Sequence, residues 1–211
     1  MYQRFEVPGV IGFIDCTHVA IVRPPNNDPL HPEHIYINRK NYHSINVQLV
    51  CDDSLRISNV NARFPGSTHD SHIWRESAVS RIMEQIYRQD EENNLYLLGD
   101  SGYPLRPWLM TPLEQPADRL NSAVKTAGCT IERCNGVLKN RWRCLLKHHT
   151  LHYTPTMAGK IINTCVVLHN MCLHYNVPES AYDEEMVNAD FGMYVLQQVQ
   201  DDGANRVGAS Y

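Results

Sequence analysis

Residues 10–22 (VIGFIDCTHVAIV) form a β-branched and aromatic run with the composition of a buried strand, broken by one carboxylate, Asp15. A carboxylate in such a strand costs free energy unless Arg, Lys or a bound metal ion neutralises it. Prolines and asparagines over 23–33 mark a loop. Beyond it, 35–38 reads as a short strand, 39–43 as a turn, 44–51 (SINVQLVC) as a strong strand and 56–62 as an alternating, half-buried one. Together they predict an antiparallel meander. Pro65-Gly66 ends it, and Ser67 to Asp70 offers N-cap chemistry for a helix reaching about residue 88. On that reading Asp70 is a capping or first-turn acid. After a polar loop at 89–94, LYLLG at 95–99 is a short apolar strand suited to full burial, and it delivers Asp100 at its C-terminal end.

Pro107, Pro112 and Pro116 predict irregular structure over 105–124. Helical periodicity is strongest over 127–147, where Ile131, Cys134, Leu138, Trp142 and Leu145 form an apolar stripe. Glu132, Gly136, Lys139 and Arg143 form a second stripe on another face. A carboxylate, a glycine and two cations in a row would let a phosphate backbone come close. Glycine in an exposed helix costs about 1 kcal/mol relative to alanine, which argues against mere surface decoration. Residues 155–175 read as an apolar helix opened by Pro155.

Composition narrows the class. With 211 residues, 43% of them hydrophobic, the chain can bury one sizeable core or two small ones. No apolar run approaches the roughly 20 residues that span a bilayer, and the N-terminus does not read as a signal peptide, so no membrane is expected as a partner. Seven irregularly spaced cysteines read as reduced thiols rather than a disulfide framework. The net charge of −4 looks wrong for a nucleic-acid binder until it is divided along the chain. Residues 177–211 carry seven acids against Arg206, which leaves the rest at +2 with basic charge concentrated over 133–147. The domain division expected is therefore a folded unit over 8–176 and an acidic, poorly ordered tail over 177–211, with at most a short helix near 191–199.

Six blocks then occur in order: IDCTHV, YINRKNYHSINVQLVCD, GSTHDSHIWRES, LLGDSGYPLRPWLMTP, IERCNGVLKNRWRCL and AGKIINTCVVLHNMC. Together they resemble the endonuclease domain of PIF/Harbinger-type DDE transposases and the domesticated nucleases derived from them. The resemblance covers roughly residues 8–176 and implies an α/β, RNase H-like mixed sheet flanked by helices. In that fold the first strand is central, the fourth lies beside it and a later helix crosses their ends, which would gather Asp15, Asp100 and Glu132. It also implies that these three are the catalytic and metal-binding acids, with Asp70 as a fourth metal-site acid.

Clustered carboxylates stay ionised only with hard divalent cations bound, Mg²⁺ or Mn²⁺ for an all-oxygen site. Two such ions about 3.5–4 Å apart would serve phosphodiester cleavage. The implied substrate is DNA, with Lys139 and Arg143 on its backbone and His18 and His69 as further contacts beside the acids. A separate Myb-like DNA-binding partner and a nuclear location, with a cytoplasmic share as the variant, follow from the same resemblance.

Departures from the family pattern open an alternative. Cys16 stands where D-G-T-H has glycine. Asn121, Val124 and Gly128 stand where N-x-x-H-x-x-T-R has its asparagine, histidine and arginine. No helix-turn-helix segment precedes the nuclease block in this sequence. The alternative is a catalytically inactive relative kept as a DNA- or protein-binding module.

Rival signals are weaker. GDSGYP resembles a serine-protease block with Ser101 as nucleophile, but Tyr103 replaces a glycine on the oxyanion side. Cys165, His169 and Cys172 share a helical face and could ligate zinc, though core packing explains them as well. His72 reads as a surface or supporting histidine.

Overall fold

The computed structural model describes residues 8–89, 95–112 and 118–179, with the backbone alone for 118–125. The acidic tail expected from 177 therefore lies almost wholly outside the described residues, as does the short helix near 191–199. Five strands form one mixed sheet: β1 (Val10–Ala20), β2 (Ser44–Cys51), β3 (Ile57–Pro65), β4 (Tyr96–Leu98) and β5 (Leu109–Met110). Their order is β3-β2-β1-β4-β5, antiparallel from β1 to β3 and parallel from β1 through β4 to β5. The helices are α1 (Asp70–Glu76), α2 (Ala78–Gln89), α3 (Asp118–Arg141) and α4 (Pro155–His174). The fold is α/β and RNase H-like, with the first strand central and the fourth parallel beside it.

Strand alternation divides the core in two. Phe13, Val19, Val47, Leu49 and Leu98 point to the face covered by Ile131 and Leu138 of α3 and Ile162 and Val166 of α4. Ile14, Val50 and Leu97 point to the other, against Trp74, Met83 and Tyr103. β2 is buried along its whole length, as a strand with neighbours on both edges and layers on both faces must be.

Several expected boundaries move. Residues 35–38 are not a strand; a 3-10 turn occupies Glu33–Tyr36, and only Ile37 bridges to His43. Asn38 explains this: its buried side chain closes a turn instead of extending the chain. β3 runs on to Pro65, which an edge strand tolerates. The helix expected to follow a cap at Ser67 to Asp70 and reach about 88 is two, separated at Ser77, whose Oγ accepts from Ser80 N at 3.0 Å and starts the second. α3 begins at Asp118, inside the region expected to be irregular, because Pro116 is the last proline of that region and none follows within the helix. It ends at Arg141, with a separate 3-10 turn at Arg143–Leu145, so 127–147 is not one helix. The two-residue β5 gave no periodic signal at all.

α4 lies close on β3. Asn170 clamps the edge, its Nδ2 donating to Ile57 O at 2.7 Å and its Oδ1 accepting from Ile57 N at 2.9 Å. At Gly159 a Cβ would sit 2.6 Å from the Ala62 carbonyl oxygen, backbone against backbone, so only glycine permits this approach. No helix among the described residues is long and apolar enough to cross a membrane.

Gly159→Ala is expected to destabilise the domain by about 1–3 kcal/mol, the usual cost of overpacking, read as a lower urea midpoint at unchanged slope. A midpoint equal to wild type would show that α4 is not held against β3 at that distance.

Candidate active site

β1 is longer than its parallel neighbour, and that mismatch makes the site. β4 stops at Leu98 opposite Phe13. Further along, Leu151 resumes the pairing through Leu151 N to Ala20 O at 3.0 Å and Val22 N to Leu151 O at 2.9 Å. Between these points the edge of β1 is open. A cavity of about 320 Å³ occupies the notch, and Asp15, Asp70, Asp100 and Glu132 all line it.

Each acid arrives from a different element. Asp15 is opposite Leu49 and faces α3, where Asn135 Nδ2 stands 3.5 Å from its Oδ2, the limit of a hydrogen bond. Asp100 follows directly on β4, and its Oδ1 accepts from Gly102 N at 3.0 Å, which fixes the turn. Gly99 lets the strand end come in: a Cβ there would lie 3.0 Å from Ile14 Cγ2 and 3.1 Å from Tyr103 Cδ2. Glu132 projects from α3. Asp70 comes round from the opposite face as the first residue of α1. It caps nothing; its Oδ1 accepts from Asn46 Nδ2 at 2.9 Å, and the same nitrogen donates to Thr68 O at 2.8 Å.

The gathering has an electrostatic cost. Burial first, and then the charges of Asp100, Asp70 and Glu132, push the Asp15 carboxyl up from 3.8 to about 8. Asp100 is also raised, by burial and by Asp70, against the lowering effect of the Gly102 amide and of Arg39. Burial raises Glu132.

The donor set is all oxygen and suits a hard divalent cation. Two buried carbonyl oxygens beside the acids, Asn46 Oδ1 and Asn135 Oδ1, have no donor among the described residues, which also fits a site that receives a cation or its water. Among the described residues no three His, Cys, Asp or Glu side chains are drawn tightly enough together to close on one ion; the acids line different walls of the cavity.

The other expected contacts divide. His18 lines the cavity. Its Nδ1 is 3.0 Å from Ser44 Oγ, and burial lowers its pKa to about 4, so the ring is neutral at pH 7. His69 is exposed at the N-cap of α1 and is not part of the wall. The stripe read along α3 is not one exposed face. Gly136 and Lys139 are buried while Glu132 is exposed, and Arg143, also exposed, lies beyond the helix in the 3-10 turn and away from the cavity. Lys139, only 2% exposed, donates from Nζ to His18 O at 2.9 Å. That corrects its expected place on a DNA-facing surface. Ala20 O faces the open edge, so His18 O, two residues back, faces it as well, and the lysine satisfies a carbonyl that no strand reaches.

Cys16, in place of the family glycine, is accommodated toward α1, with Sγ 3.2 Å from the buried Tyr103 hydroxyl. Gly128 lines the cavity, and among the described residues no atom lies within 4 Å of where a Cβ would be. The side chains of Asn121 and Val124 lie outside the described residues. Ser101 is exposed, and no histidine hydrogen-bonds it among the described residues. The zinc set does not form, since His169 is fully buried with Nε2 donating to Leu55 O at 2.9 Å.

Sequence reasoning missed Arg39 and Lys40, which line the cavity from the turn before β2, and the positioning asparagines Asn46 and Asn135. Asn46 gave a signal: an amide inside an apolar strand poses the same question as Asp15.

A family model described as "DDE superfamily endonuclease" matches residues 14–170. The chain belongs to that family. It is 39% identical over 181 residues to the human protein named "Putative nuclease HARBI1", an alignment covering 83% of this chain and 49% of that protein. Against the rat protein of the same name it is 36% identical over 207 residues, 90% of this chain and 57% of that one. It is 26% identical to the Arabidopsis "Protein ALP1-like" over 219 residues, 93% of this chain and 51% of that one. The chain thus spans about half the length of the curated relatives it matches. No solved structure matches. Membership in this endonuclease family makes the acid-lined notch the candidate active site, in a family that generally works with divalent metals.

The Asp15 shift carries a pH dependence whose sign is fixed. In the unfolded chain the carboxyl ionises near 3.8, and in the folded, metal-free protein near 8. Between those values the folded state binds the extra proton, so stability falls as pH rises through the window. In EDTA, Asp15→Asn is expected to melt above wild type at pH 8, with the gap shrinking toward pH 4.5. A gap independent of pH would contradict the shift.

Proposed function

We propose that the chain is a divalent-metal-dependent DNA endonuclease domain of transposase descent that hydrolyses phosphodiester bonds by a two-metal mechanism. The observation that carries this reading is the convergence of Asp15, Asp70, Asp100 and Glu132 on one cavity at the end of β4, in a chain of the DDE endonuclease family. Asp15, Asp100 and Glu132 would hold Mg²⁺ or Mn²⁺, with Asp70 assisting. Bound there, the metal supplies Lewis-acid stabilisation to the attacking and leaving oxygens of a phosphodiester.

The chain's own groups do the rest. Asn46 and Asn135 orient Asp70 and Asp15. Lys139 fixes the β1 main chain at His18. The His18 ring lines the cavity in its neutral form at physiological pH, where an imidazolium would repel a cation. DNA is the substrate in this reading, a Myb-like partner supplies sequence recognition, and the nucleus is the place of action.

Gly128, standing where the family pattern has arginine, favours a second reading, an inactive relative that binds DNA or protein without cutting. One experiment separates the two. Supercoiled plasmid incubated with the protein and Mn²⁺ should be nicked, the nicking should stop with EDTA, and Asp100→Asn should lower the rate about 100-fold or more. Asparagine keeps the oxygen that accepts from Gly102 N, so the turn survives the substitution. Nicking unaffected by Asp100→Asn would refute the endonuclease reading. No nicking, with DNA retained at low salt, would establish the second.

A further inference from the structure

Three basic side chains line the cavity: Arg39, Lys40 and Lys139. Lys139 is buried with its ammonium on a main-chain carbonyl. Arg39 and Lys40 are exposed, and neither side chain has a hydrogen-bond or ion-pair partner among the described residues. The turn that carries them is built rather than loose. Asn38, 4% exposed, accepts at Oδ1 from Lys40 N at 2.9 Å and donates from Nδ2 to Ser44 Oγ at 2.9 Å. Its main-chain amide donates to Tyr42 O at 3.0 Å, and its carbonyl accepts from Asn41 N at 2.9 Å. Asn41 closes the turn at φ 60°, a left-handed conformation that asparagine tolerates. Ser44 in turn meets His18 Nδ1, which ties the turn to β1 and to the cavity floor.

We propose that Arg39 and Lys40 are the phosphate-holding pair of this site, gripping the DNA backbone on the rim facing the acids while Asn38 holds their turn in place. The inference rests on the nuclease reading for the identity of the anion. An anionic backbone approaching four carboxylates is repelled unless cations meet it, and this rim is the exposed positive wall of the cavity. The charges already act at the site: Arg39 lowers Asp100, and Arg39 and Lys40 both help lower His18. Of the groups facing them, Asp70 and Asp100 attract and Lys139 repels, so a phosphate added between the two walls faces cations on one side only.

The test is binding of a fluorescent 20-base-pair duplex to the full chain in EDTA, by anisotropy, from 50 to 200 mM salt. Each neutralised phosphate adds about 0.9 to the slope of log affinity on log salt. Arg39→Ala and Lys40→Ala should each flatten the slope by about 0.9 and the double variant by about 1.8. Arg81→Ala, which removes an exposed charge outside the cavity wall, should leave it unchanged. Melting temperature is read in parallel, because a pair that only offsets the acids would change stability and not the slope.

An unchanged slope in the double variant, or no duplex binding by wild type, overturns the inference. If the slope is unchanged while plasmid nicking still depends on Asp100, this inference fails and the endonuclease reading stands. If the slope flattens as expected while wild type does not nick, the grip stands and the endonuclease reading fails.

Discussion

Carboxylates taken out of water and gathered at one place govern this molecule. Four of them line one notch in a sheet, and burial first, then the neighbouring acids, hold the proton of Asp15 to about pH 8. A fold does not carry that cost in the middle of its central strand for packing alone, since a valine would serve the core better. Around the acids the structure supplies orientation by direct hydrogen bonds, with Arg39 acting on Asp100 only through its charge. Amide nitrogens of Asn46 and Asn135 reach Asp70 and Asp15, and a backbone amide reaches Asp100. No arginine or lysine pairs with any of the four among the described residues. Such an arrangement fits the divalent cation proposed for it.

The sheet explains how the acids meet. Because β4 ends at Leu98 while β1 continues, the central strand has a free edge where chemistry can enter, and residues from both faces reach it. α3 brings Glu132 and Asn135 from one side, α1 brings Asp70 from the other, and Asp100 sits at the strand end between them. Lys139 belongs to this architecture. It satisfies a β1 carbonyl in the unpaired stretch and so keeps the edge ordered without a strand beside it.

Much of this was legible in the sequence. β1, β2 and β4 stand out by composition, and the acids on them stand out because they interrupt it. The apolar stripe of α3 was legible too, with Ile131, Cys134 and Leu138 all buried as periodicity requires. Its polar side was not. Helical spacing places Glu132 and Lys139 near one another in angle, but whether that angle meets solvent or an unpaired carbonyl depends on where β1 lies in space. The turn at 39–43 could be read as a turn, yet not as the rim of a cavity, since only the sheet brings it over Asp100. Two boundaries were hidden for local reasons: a single serine divides α1 from α2, and the prolines before α3 masked a start that comes directly after the last of them. The family blocks placed Asp70 at the metal site by resemblance, whereas its local sequence pointed to a capping or first-turn acid; it is the first-turn acid of α1 and makes no cap bond.

On the proposed reading these carboxylates together receive divalent cations in the notch. Anomalous diffraction from crystals soaked in MnCl₂ tests it most directly. The account predicts manganese density in the notch between Asp15 and Asp100, lost in crystals of Asp15→Asn. Manganese bound elsewhere on the molecule, or density in the notch that survives that substitution, would contradict it.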